Sequence, residues 1–171
     1  NVFEVVEKLM VKLFKKFSDK KIKNENFPKI KFDDAIMKYG TDKPDLRNPL
    51  EICDLTSIFK RDDVKFEIFK NLVNKGAVVR AIVTKNTKSK PRSFFDNFDK
   101  WAKDEGAGGL AYFTFENAGS ISAKGPVGKF FSEDSLKEIM KISGANIGDS
   151  IFFMCDKKKE VIKILSIARD K

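Results

Sequence analysis

Two apolar periods alternate along this chain, and that alternation limits the fold more than any other feature. Residues 76–84 form a continuous apolar strand pattern, and residues 110–115 and 150–155 repeat it. Residues 66–69 also alternate like a strand, 121–124 can extend or pair with a neighbour, and 27–32 read as a short extended piece. Between these lie helix-patterned segments. Residues 2–20 carry Val2, Val6, Leu9, Met10, Leu13 and Phe17 at spacings of three or four. Shorter helices are expected at 33–39, 55–59, 94–103, 133–143 and 157–168. Strands and helices interleaved by short connections predict an α+β fold, with a mainly antiparallel sheet covered by helices.

Local chemistry predicts where the helices begin and end. Asp33 and Asp34 suit the positive end of a helix dipole, and Gly40 is placed to stop that helix. Asp54 can cap a short helix, and Ser93 and Ser132 can cap longer ones. Gly144 terminates the helix that Ser132 opens, and Asp156 starts the last one. Pro44 and Pro49 forbid regular helix or central strand between Thr41 and Pro49.

Composition narrows the chemistry. The chain has 171 residues, 17 of them Phe, and a formal charge of +9. A domain of this size buries roughly 70% of its unfolded surface and needs no disulfide or metal to fold. The positive excess favours a polyanionic partner such as nucleic acid, or else reflects lysine used as a solubilising residue. With two cysteines, Cys53 and Cys155, no CxxC and no histidine, no zinc site of N and S ligands is expected. Cys155 ends an apolar run and reads as a core thiol, a usage that fits a reducing cytoplasm. No stretch approaches a membrane span, no signal peptide is expected, and Asn1 in place of Met suggests a segment excised from a longer protein.

Catalytic signatures are scarce. Without histidine the usual Ser-His and Cys-His nucleophile pairs cannot form, and there is no GxxxxGK[ST] phosphate loop. Gly106-Ala107-Gly108-Gly109 follows a helix and precedes a strand, the reverse of the order that aims a helix N-terminus at an anion, so it reads as helix termination. The loop holding Asp42, Lys43, Asp45 and Arg47 differs. Prolines stiffen it, which lowers the entropy cost of presenting charges in one geometry. It reads either as a binding loop or as a domain-crossing loop with internal Asp-Arg pairing. Lys85, Lys88, Lys90 and Arg92 form the least balanced charge patch in the chain, in a loop with no acid and no aromatic. They suit weak, salt-sensitive, sequence-independent RNA contact or none at all.

At the 41–47 loop the sequence resembles a known family. Phe27-Pro28, then Tyr39-Gly40-Thr41-Asp42-Lys43-Pro44-Asp45-Leu46-Arg47, is similar to the FP…YGSDKPDLR signature of bacterial aspartyl-tRNA synthetases, with Thr41 in place of Ser. Downstream, Gly106 to Tyr112 resembles that family's GAKGLAY, residues 120–131 resemble GISSPVAKFL, and Gly148 to Phe153 resembles GDxIFF. These later stretches resemble the GAD domain, which occurs in this synthetase and in the amidotransferase B subunit.

The resemblance implies a GAD insertion domain at residues 50–171, preceded at 1–49 by a helical strip from the edge of a class II catalytic domain. It further implies a parent enzyme that joins aspartate to tRNA with ATP and Mg²⁺, in the cytoplasm, as a homodimer. No FRDE-type strand and no GxGxGxDR-type helix occurs here, so the chain alone is expected to be a monomer without catalytic activity, cofactor or metal. Asp42, Lys43, Asp45 and Arg47 are then expected near the parent's active site or the tRNA acceptor end. Two alternatives stay open: a tRNA-binding accessory module of a tRNA-dependent amidotransferase, and a structural spacer that touches no RNA. Residues 50–171 are expected to fold without 1–49.

Overall fold

Ser150, Ile151, Phe152, Phe153 and Met154 are all buried. Successive residues of a strand point to opposite faces, so a strand with every residue buried must be covered on both sides. The computed structural model, which describes residues 1–171, shows that arrangement. The strand containing these residues, β5 (Ser150–Asp156), is the middle one of five. The others are β1 (Cys53–Asp54), β2 (Val78–Thr84), β3 (Ala111–Asn117) and β4 (Ile121–Lys124). Their order across the sheet is β1-β2-β5-β3-β4, and every pairing is antiparallel. In register, Val83 faces Ile151 and Ala111 faces Phe153.

The helices are α1 (Val2–Phe17), α2 (Phe32–Tyr39), α3 (Glu67–Asn74), α4 (Arg92–Asp104), α5 (Glu133–Ser143) and α6 (Lys158–Asp170). One face of the sheet packs Val79, Ala81, Phe113 and Phe153 against Val73 of α3 and Leu136 and Ile139 of α5. The other packs Ile82, Tyr112, Phe152 and Met154 against Phe95 and Ala102 of α4 and Val161, Leu165 and Ala168 of α6. Phenylalanines are densest in the first layer. Phe59, Phe69, Phe113 and Phe131 surround Phe153 with ring centroids 5.7 to 6.1 Å away, the spacing of favourable aromatic pairs. Cys53 and Cys155 are free and half-buried, and both pack against the edge of the first core layer; burial pushes both thiols up to about 11. No helix is long and apolar enough to cross a membrane.

By contacts the chain divides into Asn1–Lys31 and Phe32–Lys171. The first unit is α1 and the segment folded back along it. Glu7 accepts from the Phe27 amide, and Lys15 pairs with Glu25 at 2.5 Å. None of the α1 residues is buried, and Val2 and Phe17 are about three-quarters exposed. In the second unit α2 packs on α6. Gly40 ends α2 with φ +76, and a Cβ there would meet the Ser166 Cβ at 2.5 Å. The turn therefore needs glycine both for its left-handed backbone and for the close approach of α6.

Several local expectations are corrected. Residues 66–69 are not a strand; α3 begins at Glu67. Phe66, Phe69 and Val73 lie on one helical face toward the core, whereas a strand would put Ile68 beside Phe66, and Ile68 is 66% exposed. In place of a capped helix at 55–59 there is a single 3-10 turn, Ile58–Lys60. Asp54 accepts instead from the Thr56 amide and hydroxyl, closing a local turn. Ser93 does not cap α4, because Phe94 already donates to the Pro91 carbonyl and the helix starts at Arg92. Residues 27–31 find no strand partner, and Phe32 enters α2. The first helix stops at Phe17 because Ser18 turns extended, and the last runs on to Asp170. Ser132 and Gly144 bound α5 as expected, with the Ser132 hydroxyl accepting from the Ser135 amide.

Candidate functional site

The Thr41–Pro49 segment has no regular structure, so its backbone groups need other partners. They find them in α6. Arg169 lies in the last turn of α6 and is 4% exposed. Its Nη2 donates to the carbonyls of Asp45 (3.0 Å) and Asn48 (2.9 Å), and its Nε donates to that of Leu50 (2.5 Å). Asn48 returns a bond from its Nδ2 to the Arg169 carbonyl at 2.6 Å. The Tyr39 ring lies 5.0 Å from the Arg169 guanidinium. One buried cation thus gathers three carbonyls, a task suited to the guanidinium fork.

On this clamped backbone Asp42, Lys43, Asp45 and Arg47 are all exposed. The internal Asp-Arg pairing is formed. Asp45 accepts from Arg47 Nε at 2.9 Å and Nη2 at 2.5 Å, and from the Arg47 amide at 2.9 Å. The Arg47 side chain and amide bonds hold the Asp45 carboxyl down at about 2. The Arg47 side chain is still 92% exposed, so the pair is presented to solvent with free donor capacity. Sequence reading found the four exposed residues and missed the clamp. Arg169 stands 121 residues from Asn48 in the chain and looks there like any basic residue of a last helical turn.

Residues 85–92 behave differently from a free basic loop. Lys85 donates to the Asp149 carboxylate at 2.9 Å and to the Gly144 carbonyl at 2.7 Å. Asp149 is 2% exposed. Burial alone would raise its carboxyl, but bonds from the Asn86 amide, Lys85 and the Asn146 amide outweigh burial and hold it below the usual range. Lys85 is therefore tied into the turn before β5. Lys88 pairs with Glu116 at 3.4 Å, Arg92 with Asp96 at 3.2 Å, and Lys90 lies 5.8 Å from the Phe94 ring. Acids absent from the loop itself are brought to it by β3, α4 and the turn before β5.

No group of three or more carboxylate, thiol or imidazole side chains is placed to hold a metal ion. Residues 69–165 match the GAD domain family. The chain is 67% identical over its full length to a protein of Pelagibacter ubique named aspartate–tRNA(Asp/Asn) ligase, covering 29% of that protein. Proteins of the same name from Orientia tsutsugamushi (46% identical, 100% of this chain, 28% of that protein) and Methylocella silvestris (43%, 99% and 27%) are also similar. The chain thus spans a little over a quarter of the length of these curated relatives.

Proposed function

Since this chain belongs to the GAD domain family, we propose that it is the insertion module of an aspartate–tRNA ligase, with residues 1–49 at the edge of the catalytic domain and 50–171 as the insertion domain. The observation that carries this reading is the reach of the similarity. The relatives named aspartate–tRNA(Asp/Asn) ligase align over 99 to 100% of the chain. That span includes the Tyr39–Arg47 run, which lies outside the GAD match at 69–165. An amidotransferase accessory module is not expected to share that run.

The whole protein would activate aspartate with ATP and Mg²⁺ and pass it to tRNA, as a cytoplasmic homodimer. The residues present here do not fit an ATP–Mg²⁺ site. The arginine-bearing motifs are absent from the sequence, and no metal-holding cluster exists. No chemical step is assigned to this chain. Its contribution is positional: Asp42, Lys43, Asp45 and Arg47 are presented from a backbone pinned by Arg169, so little ordering entropy remains to oppose a contact with ligand or acceptor end. Lys88, Lys90 and Arg92, with Lys85 in its structural place beside them, would add weak contact to tRNA that fades as salt rises.

The test separates presentation from folding. In the whole ligase, Arg47→Ala is expected to lower aminoacylation about tenfold, while the unfolding midpoint of the 171-residue chain stays almost unchanged, as for an exposed side chain. Arg169→Ala should lower both. Unchanged aminoacylation in the whole-ligase Arg47→Ala variant would remove the functional role of the loop. The chain alone is expected to show no aspartate-dependent ATP–pyrophosphate exchange.

A further inference from the structure

Lys88, Lys90 and Arg92 do more than decorate a loop. Together with Lys124, at the end of β4, they line a cleft of about 500 Å³. It lies between the first turn of α4, which contributes Arg92 and Phe95, and the β3 residues Tyr112, Thr114 and Glu116. Against these four cations the lining holds a single carboxylate, Glu116. Glu116 engages Lys88, and Asp96 of α4 engages Arg92. Lys90 and Lys124 are exposed and have no carboxylate within salt-bridge distance, Lys90 resting only against the Phe94 ring 5.8 Å away, so neither ammonium group at this opening is neutralised by an acid.

The rest of the lining is not polar throughout. The buried Tyr112 and Phe95 form its floor, stacked on each other with centroids 4.8 Å apart, and the Tyr112 hydroxyl donates to Asp96 at 2.9 Å. Pro126 stands beside them. The 125–126 backbone can come this close because Gly125, at φ +151, has no Cβ to strike the Tyr112 carbonyl 2.9 Å away. The cleft is far roomier than a bare phosphate needs and falls within the range of about 300–1,000 Å³ typical of small-ligand sites. Two cations without carboxylate partners, beside the exposed Pro126 and the edge of the buried Tyr112 ring, suit an anion that carries an apolar, ring-bearing body.

We propose that this cleft binds one nucleotide, its phosphate on Lys90 and Lys124 and its nucleoside against Tyr112 and Pro126. The nucleotide is either free or a single unit of an unpaired RNA strand; both present the same phosphate and ring. The inference deepens the RNA contact proposed above by placing it in a cleft and adding Lys124, which sequence reading left out.

Titrating the 171-residue chain by amide NMR with adenosine 5′-monophosphate, adenosine, inorganic phosphate and a short single-stranded oligoribonucleotide tests it. The monophosphate is expected to shift amides at 88–92, 112–116 and 124–126 and to bind roughly tenfold more tightly than phosphate or adenosine. Lys90→Ala and Lys124→Ala should each weaken it by about tenfold, whereas Lys141→Ala on α5 should not. Glu116→Gln removes the only lining acid and should tighten binding by a few-fold, a gain that misfolding cannot imitate. Phosphate binding as tightly as the monophosphate overturns the proposal. So does indifference to Lys90, Lys124 and Glu116. A chain that binds tRNA but not the monophosphate sinks the cleft and leaves the RNA contact standing, and the converse spares the cleft. Tighter binding of the oligoribonucleotide than of the monophosphate identifies an RNA strand as the source, and equal binding identifies the free nucleotide.

Discussion

The buried carboxylate of Asp149 ties together two segments far apart in the chain. Its oxygens accept from the Lys85 ammonium and from the amides of Asn86 (2.9 Å) and Asn146 (2.8 Å). It therefore joins the loop after β2 to the turn before β5. Bonds to a charged acceptor in a buried site are worth roughly 1.5–3 kcal/mol each when lost without compensation. Asp149→Asn should accordingly cost about 2–3 kcal/mol near pH 7, because its amide nitrogen would face donors. The folded carboxyl is held below its ordinary value. Its contribution is thus fully present above the usual aspartate range and is lost as pH falls through the depressed value. Urea unfolding from pH 7 down to pH 3 should show a steeper loss of stability in the wild type than in the variant. Equal slopes would mean that Asp149 does not titrate with folding. Lys85 reads as a free cation in sequence, since its acid lies 64 residues away.

At the scale of elements, the informative contact is α2 against α6. Capping and periodicity predict both helices separately, but neither says that they meet. Gly40 records the meeting, because Ser166 occupies the space a side chain would need. Gly40→Ala combines a strained left-handed backbone with a contact that backbone or helix must shift to relieve, and should cost about 2–3 kcal/mol. Gly144→Ala provides the comparison. It shares the left-handed conformation, with φ +66, but nothing lies within 4 Å of its added Cβ. Thermal melts should therefore place it nearer 1 kcal/mol. If the two cost the same, the α2–α6 contact is not tight in solution. α3 carries the opposite lesson. Four residues of apparent alternation, 66–69, belong to a helix because their core partners, among them Phe59 and Phe153, demand a 3.6-residue period.

For the whole molecule, the contact boundary after Lys31 and the similarity of the entire chain to ligase relatives describe different things. Residues 32–171 hold both core layers. Deleting 1–31 should leave a single cooperative unfolding transition with nearly unchanged stability, whereas starting at residue 50 also removes α2 and the carbonyls that Arg169 holds at Asp45 and Asn48. The shorter piece should unfold about 2–3 kcal/mol sooner in a urea titration. Equal midpoints for the two pieces would show that α2 is dispensable. The α+β class, the strands at 76–84, 110–115 and 150–155, the caps of α5 and the exposed charges of the 41–47 loop were legible without coordinates. Each depends on residues a few positions apart, where periodicity and capping act. The clamp of Arg169, the neutralisation of Lys85 and the cleft shared by Lys90 and Lys124 were not. Each depends on groups tens of residues apart in the chain, which only the packing of the strands and the helices around them brings to one place.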